Sequence, residues 1–403
     1  MHPTSLRQDA RVIGLVGLAH GVSHFYHVLL AALFPWLKMA FALSYAELGL
    51  LMTAFFTISG VCQALAGFVV DRVGARPVLF AGLAMLGVSA LVLAGATSYS
   101  MLLGGALLAG LGNGVFHPAD YSLLNQRVAP ARLAHAYSVH GISGNLGWAS
   151  APPLLGAIAA FAGWRAAVLV AAVIPFLLLA LLVQQRSVLH AAPADHKADP
   201  AAPAGGTLAF IGLPGVWMCF AYFFLTAIAL AGIQGFAASS LMSLYTMSLA
   251  WATTGYSAYM LASAGGMVVG GFLAARAKAH DRTIAVSFTL AALLALVLAA
   301  AVVPAALAVV LMGAIGLAAG IAGPSRDLLI RAAAPKNATG RVYGVVYSGL
   351  DSGLAVGPLV FGALMDAHHP AWVFVGVALF QALAIGTALG VGGTARRPLL
   401  QSA

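Results

Sequence analysis

The chain has 403 residues, of which 62% are hydrophobic and only 7% are charged. Soluble globular domains carry roughly a quarter charged residues, so this composition excludes an ordinary soluble protein and indicates one that crosses a membrane many times. The formal net charge is +9. The basic residues lie mainly in the loops on one side of the membrane, so they reflect membrane topology and predict no nucleic-acid partner.

About 20 consecutive apolar residues are needed to cross a bilayer, and on this measure the chain contains twelve predicted spans. The first follows a short polar segment without a small-residue cleavage site, so we expect a retained helix rather than a cleaved signal peptide. Cys62 and Cys219 lie in apolar runs and predict no disulfide framework. The spans lie near residues 11–37, 45–70, 77–96, 101–126, 133–160, 166–185, 208–235, 251–275, 283–303, 305–332, 341–365 and 371–392.

The basic residues follow the positive-inside rule. With the N-terminus in the cytoplasm, sixteen of the 19 lysines and arginines fall on the cytoplasmic side. Lys38 and Arg165 fall on the opposite side, and Arg326 lies within a span. This bias predicts that both termini are cytoplasmic. We expect a multi-pass protein of a bacterial-type inner (plasma) membrane.

The first span, "LAHGVSHFYHVLLAALFPW", contains three histidines, His20, His24 and His27. Their spacing of four and then three residues places them on one stripe of a helix. Ionisable side chains are costly in hydrocarbon, so they indicate function. Two histidines four residues apart could also bind a transition metal. Because no cysteine or carboxylate accompanies them in this span, we predict no metal site and no cofactor.

A few other polar side chains lie within the later spans, and several share one depth. Counted at 1.5 Å per residue from the basic residue at each cytoplasmic helix end, four ionisable residues lie about 12–15 Å deep, at the midplane of a core about 30 Å thick. They are His20, His117, His140 and Asp351. The full set of intramembrane candidates for a substrate and proton pathway is His20, His24, His27, His117, Asp120, His140, Asn145, Arg326 and Asp351.

Structural roles for some of these residues remain open at this point. Asp120 and Arg326 could form a buried ion pair that sets helix register. His140 could hydrogen-bond a neighbouring carbonyl. Asp327 and Arg331 are four residues apart, which favours a local helix pair.

The chain is predicted to be an internal duplication. A polar, Ala- and Pro-rich linker over 186–207 separates residues 1–185 from residues 208–403, with six spans on each side. When the second half is aligned with the first at an offset of 206 residues, Asp120 corresponds to Arg326 and Asn145 corresponds to Asp351. Glycines and prolines coincide at the same offset, and they mark close helix approaches and kinks. The pairs are Gly110/Gly316, Gly114/Gly320, Pro118/Pro324, Gly147/Gly353, Pro152/Pro358 and Gly156/Gly362.

The segment between spans 2 and 3, "GFVVDRVGARPVL", adds a specific motif. Its G-x-x-x-D-R-x-G-x-R pattern resembles the signature loop of the major facilitator superfamily. The twelve predicted spans in two related halves agree with this resemblance. The second-half copy keeps Gly271 and Arg276 but has Ala275 in place of the aspartate. The resemblance implies an all-α membrane protein with twelve transmembrane helices in two pseudo-symmetric six-helix bundles.

The resemblance also implies a conformational latch. Asp71 would lie under the N-terminus of span 11, near residues 339–341, and against Arg127, where a carboxylate meets a helix dipole and a cation. The alternative is that these charges only cap the loop and fix topology. The expected latch residues are Gly67, Asp71, Arg72, Gly74, Arg76 and Arg127.

The stretches "SHFYHVLLAALFP", "GLGNGVFHPAD" and "GISGNLGWASAPPLLG" resemble the fosmidomycin-resistance branch of exporters, mostly in the first half. The runs "GWASAPPLLG" and "GLAVGPLVFG" resemble the antiporter motif of the superfamily, although Ala151 stands where glycine is expected. Plain helix packing is the alternative explanation of these small residues. The expected hinge and packing residues are Gly147, Pro152, Gly156, Gly353, Gly357, Pro358 and Gly362.

The sequence therefore predicts a monomeric secondary transporter that couples efflux of a small molecule or drug to protons by alternating access. An importer of an organic anion, with Arg326 as counter-charge, is the first alternative. A transporter of a metal or metal chelate that uses the histidines is the second. No nucleophile–base motif and no H-E-x-x-H is present, so we do not expect an enzyme. The expected partners are the substrate, protons and the lipid bilayer.

Overall fold

The computed structural model describes residues 5–43, 45–190, 209–277, 279–333 and 339–401. Within these ranges the regular structure is helical, with two short 3₁₀ turns at Pro130–Arg132 and Ala209–Gly212. The α-helices are α1 Leu6–Ala32, α2 Phe34–Phe41, α3 Tyr45–Val73, α4 Ala75–Ala94, α5 Tyr99–Asn113, α6 Phe116–Arg127, α7 Leu133–Ala162, α8 Trp164–Gln184, α9 Pro214–Tyr245, α10 Leu249–Arg276, α11 His280–Ala300, α12 Ala305–Ala333, α13 Thr339–Asp366 and α14 Ala371–Gln401.

The helices have the length and composition of a membrane protein. Among the described residues, ten segments are long and apolar enough to cross a bilayer. Helices α1 and α7 are not among these ten segments, but their lengths of 27 and 30 residues fall in the same range. They carry most of the predicted polar positions. The all-helical prediction is confirmed for the described ranges, whereas the count of twelve spans stays a prediction.

The predicted fourth span contains a break. Helix α5 ends at Asn113 and α6 begins at Phe116, and the two are joined through Gly114 and Val115. Pro118 has no backbone N–H, so it cannot continue the helical hydrogen-bond ladder at this point. Gly114 also lies against α3, where an added Cβ would be 2.6 Å from the Ser59 carbonyl oxygen. The break places His117 in the first turn of α6.

The chain forms two compact units. The first comprises Met1–Ala202 and Pro335–Ser348, and the second comprises Pro203–Ala334 and Gly349–Ala403. Helices α1 to α8 and the first ten residues of α13 thus belong to the first unit. Residues 191–208, most of the predicted linker, lie outside the described ranges. The predicted boundaries at 185 and 208 stay predictions.

A similar glycine contact occurs inside each unit. In the first unit, glycines of α5 and of the turn after it lie against carbonyl groups of α3, and in the second, glycines of α12 lie against carbonyl groups of α10. A Cβ on any of these glycines would overlap the carbonyl, so only glycine permits the approach. The contacts are Gly110 with Phe55, Gly114 with Ser59, Gly316 with Tyr259, and Gly320 with Ser263.

The predicted packing residues of α7 differ in how tightly they are packed. A Cβ on Gly147 would overlap the carbonyl oxygen of Gly21 in α1. A Cβ on Gly156 would meet only the Trp36 ring, at 4.0 Å. Pro152 lies inside the helix. Gly147 is therefore the position that fixes the close approach of α7 to α1.

Helix α13 follows the same pattern in the second unit. A Cβ on Gly353 would overlap the Phe224 carbonyl oxygen of α9, and one on Gly357 would overlap Ala231. Gly362 has more room, with Phe236 at 3.7 Å, and Pro358 lies within the helix. These residues are packing positions, and their role as hinges stays a prediction.

Candidate functional site

Histidines from three helices meet inside the first unit. The His20 ring of α1 stacks on the His140 ring of α7, with centroids 3.5 Å apart and planes inclined by 20°. The His20 centroid also lies 4.1 Å from that of His24 and 5.3 Å from that of His117 in α6. All four side chains are buried. The structure thus brings together His20, His117 and His140, which the sequence placed at one depth.

Two hydrogen bonds fix the orientation of these rings. His20 Nδ1 lies 2.7 Å from the His140 carbonyl oxygen, and His117 Nδ1 lies 2.6 Å from Gln63 Oε1. Both partners are oxygens that only accept, so both Nδ1 atoms donate. In the neutral imidazole the Nε2 atom then carries a lone pair. These two Nε2 atoms, of His20 and His117, face each other at 3.4 Å.

His140 forms an ionisable pair with Asp120. Its Nε2 atom lies 3.2 Å from Asp120 Oδ2, and both side chains are almost fully buried. Asp120 Oδ1 has no hydrogen-bond partner among the described residues. The backbone carbonyl of His140 accepts from His20 Nδ1. The alternative that the His140 ring hydrogen-bonds a neighbouring carbonyl is not tested by this contact and stays a prediction.

The other two histidines of the α1 stripe pack against Trp148 of α7. The His24 ring stacks on the Trp148 ring with centroids 4.3 Å apart, and the His27 centroid lies 4.6 Å from that of His24. Trp148 Nε1 donates to His27 Nδ1 at 3.2 Å. In the part of the chain that the structure describes, neither ring nitrogen of His24 has a hydrogen-bond partner.

Buried tyrosines of α6 and of the start of α13 pack together next to His117. Tyr121 and Tyr343 stack with centroids 4.5 Å apart and planes inclined by 5°. The Tyr347 hydroxyl donates to the Tyr121 hydroxyl, and the Tyr347 ring stacks on His117 at 4.3 Å. Tyr343 and Tyr347 belong to the part of α13 that groups with the first unit.

Sequence reasoning missed several of these partners. Gln63 could have been found, because it is an isolated amide within an apolar span. Trp148 and the tyrosines carry no such signal, since aromatic residues are common in apolar cores. Asp9 was also missed: it is fully buried, and its Oδ2 accepts from Arg132 Nε at 2.6 Å and from the Ala129 amide at 3.1 Å.

Asp71 of the signature loop contacts the start of α13. Its Oδ1 accepts from the Gly340 amide at 3.0 Å, and its Oδ2 accepts from the Arg341 amide at 3.3 Å and from Arg341 Nε at 2.8 Å. The first amides of a helix lack partners within the helix, so the carboxylate caps α13 and meets its positive dipole end. Gly67 makes room, because a Cβ there would overlap the Gly340 carbonyl oxygen.

The other predicted latch residues have varied surroundings. Gly74 has a φ of 90°, in the region that favours glycine, and precedes α4. Arg76 Nη1 donates to the Arg186 carbonyl oxygen at 3.1 Å, and Arg72 is exposed. The ion pair of Asp71 is formed with Arg341. Among the described residues, Arg127 Nε has no hydrogen-bond partner, so a role for Arg127 in the latch stays a prediction.

The second unit contains Arg326 and Asp351. The Arg326 guanidinium donates to both carboxylate oxygens of Asp327, at 2.9 and 3.1 Å, and lies 4.9 Å from the centre of the Phe223 ring. Asp351 is buried within this unit, and Asn145 is buried within the first. That Asp351 shares a cavity with the histidines, and that Asp120 pairs with Arg326, stay predictions.

Long apolar helices joined by close glycine contacts, with ionisable side chains buried among them, are typical of a polytopic membrane protein. The family model of the Major Facilitator Superfamily matches residues 16–358. The chain therefore belongs to the major facilitator superfamily of transporters.

Three proteins with similar sequences support this assignment. The fosmidomycin resistance protein of Escherichia coli (strain K12) is 26% identical over 277 residues, 66% of each chain, so the match spans just under two thirds of that protein. The uncharacterized MFS-type transporter YfnC of Bacillus subtilis (strain 168) is 29% identical over 143 residues, 35% of this chain and 34% of YfnC. The probable sulfoacetate transporter SauU of Cupriavidus necator is 26% identical over 159 residues, 40% of this chain and 37% of SauU.

A solved structure has the same fold. The human organic anion transporter MFSD10 (TETRAN) superposes with a TM-score of 0.72 at 17% identity, covering 95% of this chain and 99% of the human chain. The resemblance predicted from the signature loop and the first-half motifs is confirmed at the level of the superfamily.

Proposed function

We propose that the protein exports a small molecule across a bacterial-type inner membrane in exchange for protons, by alternating access of two six-helix bundles with cytoplasmic termini. The buried Asp120–His140 pair carries this proposal. A carboxylate and an imidazole 3.2 Å apart, inside a transport protein, form a group that can gain and lose a proton within the membrane.

The surroundings of the pair support a proton relay. His140 stacks on His20 at 3.5 Å, and His20 faces His117 through two ring nitrogens. Imidazole is the side chain whose ordinary titration range includes neutral pH. In the proposed cycle, the Asp120–His140 pair binds the entering proton and the neighbouring imidazoles pass it on. Asp351 is the buried carboxylate that we assign to coupling in the second unit.

The Asp71 contacts support alternating access. Three hydrogen bonds join the signature loop to the Gly340 and Arg341 amides and to the Arg341 side chain at the start of α13. In our proposal these bonds form in one state of the cycle and break in the other, so that Asp71 acts as a latch. The recurrence of close glycine packing in both units, at offsets near those of the duplication, supports two related bundles.

Export is favoured over import of an organic anion. An importer would need Arg326 as a free counter-charge, whereas both oxygens of Asp327 already engage its guanidinium. The relative with the longest reported match is named for resistance to fosmidomycin, and resistance through a transporter requires export. We therefore use fosmidomycin as the first probe.

Everted membrane vesicles test the proposal directly. A pH gradient, acidic inside, should drive fosmidomycin or another compound of a screened set into the vesicles, and adding the compound should release protons that a pH-sensitive dye detects. Asp120→Asn and His140→Gln should abolish both signals. His190→Gln, at an exposed position, is the matched control and should transport normally. Accumulation that does not depend on the gradient, or that survives in Asp120→Asn, would refute proton coupling through this pair.

A further inference from the structure

The facing ring nitrogens of His20 and His117 allow a second role besides proton relay. Both Nδ1 atoms donate to oxygens, so in the neutral rings both Nε2 lone pairs point toward the same small space. Their separation of 3.4 Å is longer than a good N–H hydrogen bond. In the tautomers in which both Nδ1 atoms donate, a cation held between the two Nε2 atoms interacts favourably with both lone pairs.

The separation fits a tetrahedral metal. Zinc–nitrogen bonds are about 2.0–2.1 Å long, so two nitrogens on a tetrahedral zinc ion lie about 3.3–3.4 Å apart. The Nε2 atoms of His20 and His117 have this spacing. An ion at bonding distance from both nitrogens would need no change in their separation.

His24 supplies a third nitrogen. It lies one helical turn after His20 on α1, and one nitrogen from each of His20, His24 and His117 lies within 4.8 Å of the other two. All three residues are buried, and His24 has no hydrogen-bond partner for either ring nitrogen within the described ranges. A buried imidazole without a partner is costly, and coordination to a metal would satisfy it. To join a tetrahedral site this nitrogen must approach the other two from within 4.8 Å to about 3.4 Å.

The neighbours of the first two ligands have the arrangement found around metal sites. Histidines that bind metals usually donate their second ring N–H to an oxygen, which fixes the tautomer and raises the basicity of the ligating nitrogen. Gln63 Oε1 serves His117 in this way, and the His140 carbonyl oxygen serves His20. These oxygens come from α3 and α7, so the orientation of the rings is built into the packing of the unit.

We propose that the first unit binds one divalent transition-metal ion through His20, His24 and His117. Three imidazoles without a carboxylate select zinc, nickel, cobalt or copper, and disfavour magnesium and calcium, which require oxygen ligands. When it is ionised, Asp120, which contacts His140 beside His20, offsets part of the charge of the ion. This site does not rest on proton-coupled export, and its test is independent of transport.

The test is metal binding by the purified, untagged full-length protein in detergent. Calorimetric titration with zinc chloride should give one site per chain, and cobalt(II) should give the intense visible absorption of tetrahedral coordination. We expect His117→Gln and His24→Gln to weaken zinc binding at least 100-fold, and Gln63→Leu to weaken it about 10-fold through loss of the oriented N–H. His27→Gln, on the same helix and equally buried, should bind zinc as the wild type does.

The outcomes separate the proposal from its competitors. Absence of stoichiometric zinc and cobalt binding in the wild type would overturn it, as would binding that survives in both His24→Gln and His117→Gln, or that is equally lost in His27→Gln. If a glutamine variant fails to fold, His24→Cys provides the second measurement. A thiolate in place of the imidazole should keep one site and shift preference from zinc toward cadmium, because sulfur is the softer ligand. An unchanged preference would also overturn the assignment of His24.

Discussion

Replacing Asp71 with asparagine should loosen the start of α13 by a measurable amount. The carboxylate accepts three hydrogen bonds, two of them from the Gly340 and Arg341 amides and one from Arg341 Nε. Asparagine keeps the size, but it has one accepting oxygen and turns an NH₂ group toward the remaining donors. It also removes the ion pair, whose side chains are only 12% and 7% exposed.

A magnitude follows from these contacts. Hydrogen bonds to a charged group contribute about 1.5–3 kcal/mol each, and asparagine retains part of the capping, so we expect a net loss of about 2 kcal/mol. Because 1.4 kcal/mol is a factor of ten, local opening at residues 340 and 341 should become about 30-fold more frequent. Hydrogen–deuterium exchange followed by mass spectrometry should show this acceleration in peptides that cover the start of α13.

The control is a second buried carboxylate of the same unit. Asp9→Asn perturbs the pair with Arg132 and leaves the bonds of Asp71 to Gly340 and Arg341 in place, so it should leave exchange at residues 340 and 341 at the wild-type rate. The reasoning is refuted if a folded Asp71→Asn protein exchanges there as slowly as the wild type. It is also refuted if Asp9→Asn accelerates exchange equally, since the effect would then reflect general loosening of the unit.

Three further results are expected. Asp71→Asn should slow transport about tenfold with little loss of expression, and an unchanged rate in vesicles would remove the latch from the cycle. Asp351→Asn should abolish transport driven by a pH gradient while equilibrium substrate binding is preserved, so full gradient-driven uptake by the variant would place coupling elsewhere. Gly147→Ala should unfold at a lower temperature than Gly156→Ala, because only a Cβ at position 147 overlaps a backbone carbonyl. The expected difference in unfolding free energy is about 1–3 kcal/mol, the usual cost of overpacking. Equal melting temperatures would contradict the packing account.

Features that repeat or have a fixed period could be predicted from sequence. Apolar runs predicted the helices, and the signature loop predicted the family, because both depend on spacing along one chain. Counting residues from the helix ends also indicated that His20, His117 and His140 could meet, as their ring contacts show; their common depth in the membrane stays a prediction. The break before His117 was not predicted, because Pro118 is equally compatible with a kinked but continuous span.

Contacts between helices set the limit of sequence reasoning here. For the proposed metal site, ligands were sought within one span, and His24 with His20 alone did not justify a site. His117 joins them from another helix, held by Gln63 of a third, and no spacing along the chain encodes that meeting. The contact of Asp71 with the start of α13 was expected from the resemblance of its loop to the family signature, whereas the buried Asp9–Arg132 pair belongs to no motif and was missed.

The stacking of Trp148 on His24 gives the protein a built-in optical reporter. Indole fluorescence responds to whatever lies against its ring face, and here that neighbour is an imidazole 4.3 Å away, with His27 accepting the indole N–H. A proton on His24 would place a cation over the indole, where it interacts with the ring quadrupole and quenches emission. A paramagnetic ion held by the same imidazole would quench it further. With the other five of the six tryptophans replaced by phenylalanine, emission from Trp148 would follow the charge state of the histidine cluster in real time, without any added label.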